Sequence, residues 1–299
     1  MKTFGNSVRS LREKKGISRE EFCDDETELS VRQLVRIEKG QSVPTLNKVI
    51  YIAKTLGVTV GQLTDGKSFD LPQRYKELKY LLLRTPTYGN PERLKRQGSY
   101  FDEIFENYYD QLPEEECLVI DCLQSKIDVH FSDDVNFGEG ILNDYFDQVL
   151  RKSMFQINDL ILIDLYFVCL ASAKVFQGIY HPDLYNHLME CLFNQEMVSS
   201  ETALILNNVL LSNADLAFHF HKKDFVKNII TKSNFIMTQV HDFQRRPILS
   251  LVEWKYYLQF EKDFIAAQTA YTNAILFANL IGDAYLEKKL TEEWKKDTT

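Results

Sequence analysis

Three cations in one short stretch, Arg32, Arg36 and Lys39, have residue types and a spacing suited to holding a nucleic acid. At about 100° per residue they share one side of a helix running from Ser30 to Gly40, with Val35 nearby and Leu34 and Ile37 opposite. A helix of barely three turns with such a face suits the DNA major groove, where arginine pairs bidentately with guanine or binds phosphate. The competing reading is a solvated charged face. Gln33 lies nearer the core edge, and Val31 faces either the core or a thymine methyl. Ser30 is first an N-cap and second a phosphate or base contact. Ser18, Arg19, Thr45 and Lys48 stand at helix starts, where backbone N–H groups and short side chains bind phosphates.

No catalytic or metal pattern competes with this one. The six histidines make no HExxH or other ligand spacing, and His219 and His221, two apart, point away from each other on a helix. The chain has no phosphate loop, no GxSxG and no dinucleotide fingerprint. Five cysteines without a CxxC pair read as buried reduced thiols. The expectation is a binding protein, not an enzyme, with no cofactor and no metal.

The elements that position these residues follow from caps and periodicity. Phe4, Val8 and Leu11 have helical spacing up to Gly16, and Ser18 with Glu21 makes a capping box. After the acidic loop Asp24–Glu28 comes the cationic helix, then one from Thr45 to Gly57 and one opened by Thr59 and Gln62. Five helices with a short second and a basic third have the order of a lambda-repressor-type DNA-binding domain, assigned to 1–66. Residues 67–73 are polar, aperiodic and end at Pro72 and Gln73, which predicts a linker. Beyond it, helices are expected over 74–84, 91–111, 113–130, 140–151, 158–177, 182–193, 200–221, 224–240, 247–261, 263–281 and 284–295. Starts at 113, 158, 200, 247 and 284 form a loose array of helix pairs. Ala267, Tyr271, Ala274 and Ile275 are placed as in a tetratricopeptide second helix, and such pairs stack into a superhelix whose concave surface suits an extended peptide.

Charge is divided unevenly. Residues 1–66 carry 11 Lys+Arg against 9 Asp+Glu, while the chain as a whole has a net charge of −8. Any DNA contact must therefore come from the small N-terminal part. No window approaches the length of a membrane-spanning helix and MKTFGNSVRSLREKKG lacks a signal-peptide core, which predicts a cytoplasmic protein.

The motifs carry a family resemblance. RxxKGISREEFC and VRIEKGQSVPTLNKVIYIAKTLGVTVGQL are similar to the Xre/Cro pattern, which implies that Arg12 pairs with Glu38. Joined to about 225 residues of helical repeats, the chain resembles the Rgg/PlcR/PrgX peptide-pheromone receptors, and LSVRQLVRIEKG, PTYGNPERLK, QLPEEECLVID and NAILFANLIGDAYLE resemble the streptococcal ComR branch. The resemblance implies an all-α chain: a helix-turn-helix domain and a right-handed TPR-like superhelix over 74–299 for peptide sensing and dimerisation. It also implies a cytoplasmic quorum-sensing activator. A short hydrophobic, tryptophan-rich peptide would release the first domain. The receptor, monomeric without peptide, would then dimerise on an inverted-repeat promoter of competence or bacteriocin genes. Thr87 and Asn207 match residues of that family's peptide groove, and Gly89 and Gln97 replace basic residues there, with Arg93 and Lys95 nearby as substitutes.

Glu114, Glu115 and Glu116 follow Pro113. Folded against Arg32 and Arg36, they would imitate DNA phosphates and hold the recognition helix shut. Each exposed pair is worth about 0–1 kcal/mol, so several must act together. The alternative is that they only favour a helix N-terminus. Two other functions remain open: a peptide-independent phage-type repressor, and a protein-interaction scaffold.

Overall fold

The computed structural model describes residues 2–64, 70–172 and 181–299, and every long regular element among them is helical. The first five helices are α1 (Lys2–Lys14), α2 (Arg19–Cys23), α3 (Val31–Glu38), α4 (Leu46–Leu56) and α5 (Val60–Thr64). The starts of α2, α3 and α4 are set by side chains that satisfy otherwise unpaired N–H groups. Ser18 and Ser30 make reciprocal capping boxes with Glu21 and Gln33, and Thr45 caps α4. Gly57, at φ 61°, takes the left-handed conformation that ends α4. Phe22, Leu29, Leu34, Ile52, Leu56 and Leu63 fill the space between these helices. Each such buried side chain contributes about 1.5–3 kcal/mol of transfer free energy.

The remaining helices are α6 (Gln73–Arg84), α7 (Pro91–Asn107), α8 (Glu114–Ser132), α9 (Asn136–Leu150), α10 (Ile157–Ser172), α11 (Pro182–Asn194), α12 (Ser200–Ser212), α13 (Ala214–His219), α14 (Lys223–Val240), α15 (Arg246–Tyr256), α16 (Phe264–Leu280) and α17 (Ala284–Thr298). α10 lies in the centre of the largest core, with Leu160, Ile163, Leu165 and Leu170 fully buried. α6, α7 and the start of α8 share a second core around Tyr75, Leu78 and Ile104. In the last repeat, Ala267, Ala270, Ala274 and Ala278 let α16 approach Trp254 of α15, while Tyr271 stacks on Trp294 at 4.7 Å.

Several expected boundaries are corrected. Gln73 belongs to α6, and residues 67–69 of the expected linker lie outside the described residues. The helix expected over 91–111 ends at Asn107 and is followed by a 3₁₀ turn at Tyr109–Gln111. The one expected over 200–221 is two, broken at Asn213, and the one over 247–261 finishes as a π-turn from Tyr257. Residues 173–177 of the helix expected over 158–177 lie outside the described residues. α9 begins four residues early, at Asn136, and contains Gly138. A Cβ on Gly138 would sit 2.5 Å from Cys169 Sγ and 3.2 Å from a Leu165 methyl, so at the close crossing of α9 over α10 any larger residue must displace those side chains. All five cysteines are free thiols, and burial pushes Cys23 up to about 12 and Cys117 up to about 11.

Candidate functional site

α3 is held from behind by an ion pair within the first five helices. Arg12 Nε lies 2.7 Å from Glu38 Oε1, and Arg19 shares the other oxygen at 2.8 Å. Both ends of the Arg12–Glu38 pair are buried, with side chains 7% and 1% exposed. Arg19 is thus committed to Glu38 in this conformation. Gln33 is also buried: its Oε1 accepts from the Ser30 N–H at 3.2 Å and from Lys48 Nζ at 2.7 Å. Ser18 and Ser30 serve as caps, and Lys39 is exposed at the end of α3.

The outer face of α3 does not meet solvent alone. Arg32 makes a bidentate pair with Asp144 of α9, at 2.7 and 3.0 Å. Arg36 Nη1 donates to Glu114 Oε1 at 2.9 Å, and the Tyr145 hydroxyl donates to the same oxygen at 3.0 Å. Burial, helped by the Glu114 charge, pushes Tyr145 up to about 12, which keeps it a donor. Hydrogen bonding to Arg32 holds Asp144 below its ordinary value. Glu115 accepts from the Thr45 hydroxyl and pairs with Lys48 Nζ at 3.0 Å. The backbone takes part as well: the Glu114 N–H, otherwise unpaired at the start of α8, donates to the Val43 carbonyl at 3.0 Å. Gln148 donates to the Thr27 carbonyl at 3.1 Å, and Arg151 pairs with Glu26 at 3.1 Å. Glu26 also accepts the Val31 N–H, so the acidic loop helps begin α3.

The three glutamates expected to act together divide. Glu114 and Glu115 meet the first five helices, whereas Glu116 turns to α6, where it accepts from Tyr75 Oη at 2.7 Å and Lys79 Nζ at 2.8 Å. Sequence reasoning missed Asp144, Tyr145, Gln148 and Arg151. Their sole linear signal is helical spacing, and nothing in it says which helix lies across from them.

The expected peptide-contacting residues are partly gathered. Thr87, Arg93 and Gln97 line a small cavity of about 120 Å³ with Leu81, Thr85, Arg96 and Tyr100; Gly89 and Asn207 are not in its lining. Arg93 is committed to Asp283 at 2.6 Å, so it does not stand in as a free cation. Gly89, at φ 73°, gives its carbonyl to the Tyr285 hydroxyl at 3.0 Å. Asn207 is buried in α12 with its side-chain oxygen unpaired, and the side-chain oxygen of the next residue, Asn208, is unpaired too. A buried amide oxygen without a donor is a candidate acceptor for an N–H group, but on a helix these two consecutive side chains turn about 100° apart and do not form one pair.

Comparison with known proteins shows what the chain is similar to. A helix-turn-helix family model matches residues 8–63, and a ComR tetratricopeptide model matches residues 72–294. ComR from Streptococcus suis is 38% identical over 100% of this chain and 96% of its own, with a TM-score of 0.83. The apo form of ComR from S. thermophilus is 33% identical over 99% of each chain, with a TM-score of 0.83. ComR from S. thermophilus in complex with DNA and its signalling peptide ComS is likewise 33% identical over 99% of this chain and 100% of its own, but superposes less well, at 0.71. A comparison with curated protein sequences finds no match.

Proposed function

The chain belongs to the ComR family, and from that premise we propose that it is a cytoplasmic, peptide-responsive transcriptional activator in its closed, peptide-free state. Residues 1–66 are the DNA-binding domain, 67–72 the linker and 73–299, from the start of α6, the sensing and dimerisation domain. The observation that carries the reading is that Arg32 and Arg36, the two cations best placed for a major groove, are each held by a carboxylate of the helical repeats. A carboxylate, like the two free oxygens of a phosphodiester, offers arginine a pair of anionic acceptors, so cover and DNA compete for the same guanidinium groups. The better superposition on an apo form than on the DNA and peptide complex supports the same assignment.

In the open state Arg32 and Arg36 read bases and phosphates, Lys39 adds a phosphate contact, and Ser18, Ser30 and Thr45 offer helix N-termini to the backbone. Arg19, Gln33 and Lys48 support α3 and reach phosphate only at its edge. The peptide binds where Thr87 and Gln97 line the small cavity, with Asn207 pairing its backbone; Arg93 is committed to Asp283, and Arg96 lines the same cavity as a second cation. Peptide binding frees the first domain to dimerise on an inverted repeat. A closed state favoured 99 to 1 needs about 2.7 kcal/mol, which a few ion pairs of about 0–1 kcal/mol and one backbone hydrogen bond can supply together.

Mobility-shift titration of an inverted-repeat duplex, selected by the protein from a random pool, tests this with and without a hydrophobic peptide carrying paired tryptophans. Peptide-dependent binding is expected. Binding indifferent to peptide points to a repressor, and failure to select any duplex, with or without peptide, points to a scaffold.

A further inference from the structure

α6 connects the two places described above. At one end, Leu81 and the following Thr85 line the small cavity with Thr87 and Gln97, and the Leu83 carbonyl accepts Asn208 Nδ2 at 3.2 Å. Further back along the same helix, Lys79 Nζ and the Tyr75 hydroxyl both bind Glu116, at 2.8 and 2.7 Å. Tyr75 is fully buried in the core shared by α6, α7 and α8. Burial and the Glu116 charge raise its hydroxyl well above the ordinary tyrosine value, so it remains a donor. From Lys79 to Thr85 is about 9 Å of helix, which moves as one piece.

The three neighbouring carboxylates at the start of α8 therefore face two different bodies. Glu114 and Glu115 hold Arg36, Thr45 and Lys48, while Glu116 holds α6. We propose that Glu116 is a positioning residue that passes displacement of α6 to the first turn of α8. When peptide shifts the 81–87 end, Tyr75 and Lys79 carry Glu116 with them, and the backbone that bears Glu114 and Glu115 follows. Those two carboxylates then leave the DNA-binding domain. The proposal rests on the peptide-responsive reading above and assigns opposite outcomes to adjacent glutamates. Loss of Glu114 or Glu115 opens the closed state; loss of Glu116 leaves it closed and makes it insensitive to the signal.

The test compares the full chain with Glu116→Gln and with Lys79→Gln, which lies on the more exposed side of the contact. Two quantities are read: the affinity for a fluorescein-labelled hydrophobic peptide with paired tryptophans, and the peptide concentration needed for half-maximal binding to the selected duplex. Both variants are expected to bind peptide like the parent, to stay off DNA without it, and to need about tenfold more peptide for DNA binding, a typical coupling factor. A merely structural role would move both quantities together or neither. Variants that respond like the parent, or that bind DNA without peptide, overturn the assignment of Glu116 alone. A parent that does not respond to peptide overturns the functional reading, and this assignment with it.

Discussion

Two arginine–carboxylate contacts on either side of α3 share their chemistry and differ in setting. Behind the helix, Arg12 and Glu38 are 7% and 1% exposed; in front, Arg32 and Asp144 are 56% and 46% exposed. Two desolvated charges must stay paired, because separating them leaves an ion without water or partner. Two solvated charges can part at little cost, because water and salt replace the partner. The rear contact is therefore permanent structure, and the front contact is suited to a switch. A cover that must yield to a peptide has to be assembled from contacts weak enough to break.

Breaking the rear contact should have the largest effect. Glu38→Ala strands the Arg12 guanidinium, and equilibrium urea denaturation is expected to register a loss of about 3–5 kcal/mol from the first five helices. A loss below 1 kcal/mol would erase the distinction between the two contacts.

Next comes the crossing that holds α9 in place. Gly138→Ala puts a methyl where Cys169 Sγ stands, which should cost about 1–3 kcal/mol and shift Asp144, Tyr145 and Gln148 away from α3. Calorimetry should record the lower stability, and mobility shift should record partial DNA binding without peptide.

Removing the front contacts should move function more than stability. The double variant Asp144→Asn with Glu114→Gln is expected to stay within about 1 kcal/mol of the parent in urea. It should bind the selected duplex without peptide roughly tenfold more tightly, which is about 1.4 kcal/mol. If its DNA binding stays as silent as the parent's, the carboxylates do not form the cover.

The smallest effect sharpens the comparison through pH. Asp144 has a lowered folded pKa, so its contribution to the cover is complete above its ordinary value and is lost only as pH falls through the lowered one. Peptide-free DNA binding should therefore be the same at pH 7 and pH 5.5. Opening between those values would require a group other than Asp144.

Much of the first domain was legible along the chain. Ser18, Ser30 and Thr45 cap where their residue types and the periodicity behind them require, and Arg12 and Glu38 meet as the family pattern implies. These are local relations, or relations within one small motif. The repeats were legible as helices but less so at their ends. Asn213 divides an apparently continuous pattern, and α9 starts at Asn136, with no side-chain cap to mark it, and runs through Gly138 where it packs against α10.

Residue types and their order determined by themselves that α3 has an apolar side and a cationic side, that helices follow to the end of the chain, and that an acidic body accompanies a slightly basic head. Helix periodicity and charge are properties of neighbouring residues, so a linear reading can recover them. Which carboxylate meets which cation was decided only by tertiary structure. Glu114, Glu115 and Glu116 are consecutive, yet successive side chains on a helix turn through about 100°, so three neighbours face different partners once other helices surround them. Asp144 reached Arg32 across 112 residues because α9 could pack close over α10, and no pattern local to either residue records that crossing.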